Sequence, residues 1–202
     1  MITDEIREWQ LQISRYDDEQ AFARLFRHFY ERMLHFCMRY VPVREAAEEI
    51  VSDVFVKIWN RREELVNINN LQVYLFVAVK NHSLNYQEVY SHLRIVPLTG
   101  AAAELNNSID LEKDLEWKEM RFMLDQVVAS LPAQCRRIFQ LIKEDGFKYK
   151  EVAEILGISP RTVETQLFRA MRRLNAELGA FSSRKKILPP IILLLGLSSL
   201  FH

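Results

Sequence analysis

Arg161, Thr162, Thr165, Gln166, Arg169, Arg172 and Arg173 crowd into one short stretch near the end of a 202-residue chain. Between them Val163, Leu167, Ala170 and Leu174 recur at helical spacing, which predicts a helix with an apolar face and a basic, amide-bearing one. Those polar types suit the edges of bases. Arg forks to guanine, Gln bridges adenine, and the Thr methyl meets the thymine methyl. Arg172 and Arg173 are better placed for phosphate, which fixes register without reading sequence. The preceding residues predict the element that aims this helix. Tyr149 to Leu156 forms a first helix with Val152, Ala153, Ile155 and Leu156 apolar. Gly157 ends it through a positive backbone angle, Ser159 caps the next helix, and Pro160 fills its first position. This is a helix-turn-helix, whose second helix enters the major groove. The competing reading is a helical hairpin with a solvated face; corner, cap, Pro and periodicity in one register argue against it.

Two further clusters lie in the first half. Asp17, Asp18 and Glu19 mark a helix start, followed by Phe22, Leu25, Phe26, Phe29, Met33, Phe36, Cys37 and Tyr40 on one stripe, stopped at Val41-Pro42. A second helix, about Arg44 to Trp59, turns Ala47, Ile50, Val51, Val54, Phe55 and Ile58 inward. Its other side carries Glu45, Glu48, Glu49 and Asp53 with Val56 and Trp59 among them. Two readings stand: a face for a basic partner helix, or a solvated face with two stray apolar residues. A third helix, from near Asn70 to about Val89, is apolar almost all round through Val79. Lys80, Asn81, His82 and Asn85 then follow, accompanied by Tyr74, Phe76 and Tyr86. Amides, a cation and aromatic rings suit single-stranded nucleic acid; aromatics at this spacing also suit a core.

Periodicity lapses from Ser91 to about Asn107, where Pro97, Gly100 and Asn106-Asn107 break any regular element. A helix over roughly Leu111 to Ser130 (Leu124, Val127, Val128 and Leu131 inward) and another over Ala133 to Glu144 (Cys135, Ile138, Phe139 and Ile142 inward) lead into the helix-turn-helix. The chain is thus all-α, with two small helical domains, residues 1–90 and 111–180, joined by a flexible acidic linker, 91–110. A tail, 181–202, is basic and then hydrophobic. Formal net charge is zero, but it is unevenly spread. Residues 1–96 carry net −2, residues 97–120 net −4 and residues 121–181 net +3, so the basic excess lies where the helix-turn-helix lies. Cys37 and Cys135 sit on apolar stripes and read as reduced, buried thiols. The His residues have no metal-ligand spacing. No Gly-rich phosphate loop or nucleophile–base pair appears, so no enzyme, cofactor, metal or small-molecule substrate is expected. In the tail, residues 187–201 would make a helix of about 22 Å, short of a ~30 Å hydrocarbon core. Packing on the protein itself, a shallow membrane contact and a partner surface all remain open for it.

Taken together, the chain resembles the extracytoplasmic-function (group 4) sigma factors of the sigma-70 type, in particular their FecI-like branch. The carriers are Ala21 to Pro42, Ala47-Glu48-Glu49-Ile50-Val51-Ser52-Asp53-Val54-Phe55 with Trp59, Tyr74 to Asn81 through Asn85-Tyr86, Leu131-Pro132 to Phe139, and the whole of 147–174. The resemblance implies sigma region 2 in the first domain and sigma region 4 in the second, with core RNA polymerase, promoter DNA and a membrane-bound anti-sigma factor as partners. It implies a cytoplasmic protein, held at the inner membrane where the anti-sigma factor sits. It gives Glu48, Glu49, Asp53 and Val56 to polymerase docking. Lys80, Asn81, Asn85 and Tyr86, with the loop before their helix (about Glu63 to Asn70), go to the melted −10 element. The seven residues from Arg161 to Arg173 go to the −35 element. Lys148 stands where the family often has a capping Ser or Thr; Lys cannot accept that hydrogen bond, so the first helix of the motif is weaker at its start or capped otherwise. Val77 stands where a basic residue is frequent and receives no DNA role. The rival is a LuxR-type regulator that binds duplex operators unaided, since Thr162 to Thr165 resembles that motif too.

Overall fold

The computed structural model describes residues 2–92 and 122–185, and all regular structure among them is helical. The linker beyond His92, the acidic stretch 104–116, the helix start near 111 and the apolar tail 187–201 lie outside the described residues. The chain divides into two compact units.

The first unit contains α1 (Ile2–Tyr16), α2 (Glu19–Met38), α3 (Arg44–Asn60), a 3-10 turn (Arg62–Asn67) and α4 (Leu71–His92). Helix α1 is not among the elements the sequence predicts. It forms because Ile6, Gln10 and Ile13, spaced four and three apart, make one buried ridge on an otherwise polar helix. Asp17 then takes a left-handed angle (φ 52°), and Asp18 caps α2 by accepting from the backbone N–H groups of Gln20 (2.8 Å) and Ala21 (3.0 Å). Asn70 does the same for α4, accepting from the Val73 N–H at 3.1 Å.

The core of this unit is aliphatic and aromatic. Leu25, Phe29, Met33 and Phe36 from α2 meet Ala47, Val51 and Val54 from α3 and Leu75, Phe76 and Val79 from α4, all nearly inaccessible. Phe36 and Phe76 lie 5.0 Å apart between centroids. Phe76 is therefore core, not a stacking surface for bases. Ser83, fully buried, donates to the Val79 carbonyl (2.8 Å) and lies 3.2 Å from the Cys37 sulfur. Burial pushes the Cys37 thiol pKa up, which keeps it protonated and inert.

The second unit contains α5 (residues 122–129), α6 (Ala133–Lys143), α7 (Tyr149–Leu156) and α8 (Pro160–Lys185). Val127, Val128 and Leu131 are buried as predicted, while Leu124 is only half-buried. On α6 the inward set is Cys135, Ile138, Phe139 and Leu141, with Ile142 half-buried instead of Leu141. The reason is the returning chain. Phe147 donates its N–H to the Leu141 carbonyl (3.0 Å) and, itself buried, closes over that side. Gly146 (φ 73°) and Gly157 (φ 70°) both take the angle that ends a helix with no Cβ penalty.

Candidate nucleic-acid interface

Helix α8 is aimed by α7 and fixed at its start by its own cap. Ser159 Oγ accepts from the Thr162 N–H at 3.1 Å, and the two hydroxyls lie 2.8 Å apart. Val163, Leu167, Ala170 and Leu174 are all buried, so the opposite side of the helix is committed to solvent. Lys148, which cannot cap α7, is compensated from within the helix. Glu151 reaches back and accepts from the Lys148 N–H at 2.8 Å, one half of a capping box.

The seven −35 candidates separate into two stripes. Arg161, Thr165 and Arg172 are exposed at spacings of four and seven. Phe168, 68% exposed, stands between them, and so does the exposed Glu164. Sequence reading left out both; the signal was an aromatic residue three after Thr165, off the buried stripe. Thr165 donates its hydroxyl to the Arg161 carbonyl (2.9 Å), which leaves its methyl and a lone pair to meet a base. The second stripe is Thr162, Gln166, Arg169 and Arg173. Thr162 is occupied in the cap. Gln166 is half-buried and accepts from the Cys135 thiol at 2.8 Å. With Arg169, Arg172 and Arg173 it lines a groove of about 750 Å³ floored by Leu131, Pro132, Cys135 and Ala176. Cys135 is buried and free of any disulfide, as expected.

In the first unit the acidic side of α3 carries Glu45, Glu49, Asp53 and Val56 as one exposed stripe, with Val56 56% exposed. Glu48 lies beside it, half-buried and paired with Arg44 at 2.8 Å. Trp59 does not belong to this face. It is half-buried against Phe22 (4.9 Å between rings), with the Arg62 guanidinium 5.0 Å above it, in a cluster with Phe26 and Phe55. The large ring is taken up by α2, so one apolar residue, Val56, is left among the acids.

The −10 candidates also separate. Asn81 and Asn85 are exposed one turn apart, with the half-buried Lys80 beside Asn81 and the exposed Tyr74 (43%) two turns earlier on their side. Tyr86 lies a third of a turn away, its ring stacked on Tyr90 at 4.1 Å. Burial, Tyr90 and Glu49 of α3 all raise its phenol pKa. It is therefore turned toward α3 and apart from the two amides. Tyr74 instead borders a cavity of about 350 Å³ together with Ile58, Arg61, Glu64, Leu65, Asn67 and Ile68. That cavity lies in the loop the resemblance gives to the −10 element.

Among the described residues no group of His, Cys, Asp and Glu could hold a metal ion, and no helix is long and apolar enough to cross a membrane.

The family models that match are "Sigma-70 region 2" over residues 25–89 and "Sigma-70, region 4" over residues 121–174, which together span more than half of the chain. Among curated proteins, the chain is 27% identical over 140 residues to "Probable RNA polymerase sigma factor RfaY" of Xanthomonas campestris pv. campestris, covering 66% of this chain but 34% of that protein. It thus spans about a third of that relative's length. It is 23% identical over 171 residues to "ECF RNA polymerase sigma-E factor" of Escherichia coli, covering 78% of this chain and 86% of that protein. Two solved structures share the fold. CnrH in complex with the cytosolic domain of CnrY has a TM-score of 0.55 at 19% identity, covering 87% of this chain and 98% of that one. The sigma factor RpoE with the anti-sigma factor NepR from Bartonella quintana has 0.57 at 21%, covering 78% and 96%.

Proposed function

We propose how this chain, which belongs to the sigma-70 family of RNA polymerase sigma factors in its extracytoplasmic-function group, acts in transcription initiation. It lends core RNA polymerase promoter specificity and performs no catalysis itself. The exposed stripe of α8 reads the −35 element in the major groove. Arg161 and Arg169 are donors for base edges, the Thr165 methyl and Phe168 ring are apolar contacts for thymine methyls, and Arg172 and Arg173 meet phosphates. Gln166 presents its NH₂ group to DNA, because its carbonyl oxygen is engaged by Cys135. Thr162 helps aim the helix through its cap.

In the first unit, Glu48, Glu49, Asp53 and Val56 dock on a basic polymerase surface; the carboxylates speed approach and Val56 gives contact once water is expelled. Melted −10 DNA runs along Lys80, Asn81 and Asn85, and the cavity beside Tyr74 takes a base out of the stack, at a cost of a few kcal/mol that easily unpaired steps lower. Tyr86 belongs at the edge of this path, where α4 faces α3. Such a protein works in the cytoplasm, where polymerase and promoters are, and an anti-sigma factor tethered at the inner membrane holds it inactive. Relatives of this fold are known in complexes with an anti-sigma factor and with a cytosolic domain, which supports that partner class.

The observation that carries the reading is the division of α8: one side buried, the other presenting Arg161, Thr165, Phe168, Arg169 and Arg172 as exposed residues, with no covering element among the described residues of its unit. The test is a pull-down with core RNA polymerase followed by run-off transcription on a promoter library. Transcripts with a shared upstream sequence support the proposal. Absence of polymerase binding, with tight unaided binding to duplex DNA, overturns it in favour of an operator-binding regulator.

A further inference from the structure

Arg7, Gln10 and Ser14 follow one another along one side of the polar helix α1, and all three are spent on a single neighbour. Gln10, 2% exposed, donates both N–H groups of its amide to backbone carbonyls, one to Leu65 and one to Ile68 (2.7 Å). Ser14, one turn on, donates to the Glu63 carbonyl at 3.0 Å, and Arg7, one turn back, donates to the Ile68 carbonyl at 3.3 Å. These four hydrogen bonds all run from a side chain of α1 to the backbone of the turn that follows α3 and its flanking Ile68. None depends on which side chains the turn itself carries. Two of the three receiving residues, Leu65 and Ile68, line the cavity beside Tyr74, and the third, Glu63, precedes its lining residue Glu64.

We infer that α1 is a splint for the base-accepting loop, and that Gln10 is the positioning residue that sets promoter discrimination there without touching DNA. The inference rests on the proposed role of that cavity. A 3-10 turn has poor internal hydrogen bonds and holds its shape badly alone. Its carbonyls must nonetheless stay fixed to within a fraction of an ångström if a flipped base is to be told from its competitors. A buried amide with two donors aimed at two carbonyls supplies that rigidity: each carbonyl has a second partner, the Ile68 N–H for Leu65 and the Arg7 guanidinium for Ile68, but the one amide ties both at once to a helix outside the turn, and its own donors would be costly to bury unpaired. Ile6 and Ile13, buried on either side of Gln10, hold the amide in place.

The test uses holoenzyme assembled from the full chain, carrying Gln10→Met or Ser14→Ala. Gln10→Met keeps the length and loses both donors; Ser14→Ala removes one tie at a half-buried rim position and opens no cavity, so it reports even where Gln10→Met impairs folding. Each holoenzyme selects from single-stranded non-template DNA randomised across the −10 element. The expected result is a loss of about five- to tenfold in base enrichment at the loop-read position for Gln10→Met, and a smaller loss for Ser14→Ala, on the scale of one or two hydrogen bonds. Affinity for core polymerase and preference in the −35 element stay as in the wild type. A skewed wild-type selection that both variants reproduce overturns this inference alone. A wild-type selection with no skew at any −10 position overturns the cavity reading, and this inference with it.

Discussion

Lys148 occupies the position from which α7 should be capped, and replacing it with Ser should stabilise the second unit measurably. The Val152 N–H bonds the Lys148 carbonyl at 2.9 Å, which makes Lys148 the residue flanking the first turn. Its own N–H is met by the Glu151 carboxylate at 2.8 Å, but its ammonium side chain has nothing to offer the Glu151 N–H in return. Lys148→Ser completes the reciprocal pair. A cap of this kind contributes about 0.5–2 kcal/mol. Removing a cation from the positive end of the helix adds about 0.3 kcal/mol at an exposed site such as this. The expected gain is about 1–2 kcal/mol, and for a unit of this size each kcal/mol raises the unfolding midpoint by about 4–8 °C. Hydrogen exchange on the intact chain localises the effect, since the Glu151 amide should exchange more slowly than in the wild type while amides of the first unit are unchanged. In a double-mutant cycle, Glu151→Ala should cost more alongside Lys148→Ser than alone, because the two halves of the box support each other. If Lys148→Ser leaves both the midpoint and the Glu151 exchange at wild-type values, a side-chain acceptor at position 148 adds nothing to the start of α7 and the expectation is refuted.

Other outcomes follow from the same geometry. Reversing Glu48, Glu49 and Asp53 to Lys should abolish co-purification with core polymerase while circular dichroism stays native, as none of the three is buried; retained binding would show that the face is merely solvated. Arg161→Ala should weaken −35 discrimination by about 1–3 kcal/mol with core affinity intact, measured by run-off transcription on a −35 library. Cys135→Ala frees the Gln166 carbonyl oxygen, so preference for adenine at the position Gln166 reads should rise, and an unchanged preference would place Gln166 away from bases. His28 packs edge-on to Trp9 and Phe29, its Nε2 buried without a hydrogen-bond partner; burial first, then Arg32, lowers its pKa. A depressed pKa means the unfolded chain binds the proton first, so His28 should cost stability as pH falls below its ordinary value of 6.5. His82 is lowered too, by burial and Lys57, and adds in the same direction. His28→Phe should therefore reduce, without removing, the loss of stability between neutral and mildly acidic pH in urea titrations.

What the sequence made legible, and what it hid, follows from how each feature is encoded. The helix-turn-helix could be placed to the residue because its signals are local: Gly157 needs a positive angle, Ser159 a nearby N–H, Pro160 a missing one. The inward face of α3 was likewise complete, since six apolar residues on one period leave no alternative register. Helix α1 stayed hidden because its ridge is interrupted by Gln10, whose burial makes sense only once carbonyls 55 and 58 residues away are brought to it. No window of sequence contains both partners. The same limit explains Trp59 and Gln166, each given to an outer face by spacing and each drawn partly inward by a residue from another helix, Phe22 and Cys135. Helical spacing gives the direction of a Cα–Cβ bond; it does not say whether a long side chain bends back along the surface. At an interface that difference is chemical. A Gln free at both ends reads adenine, whereas a Gln whose oxygen is already held on one side presents its NH₂ group more readily than its oxygen and is better suited to the acceptors of guanine or the O4 of thymine. On the proposed −35 role of α8, the base preference at that position is set jointly by α8 and α6, and changing Cys135 should alter what Gln166 reads with no change to any residue of the reading helix.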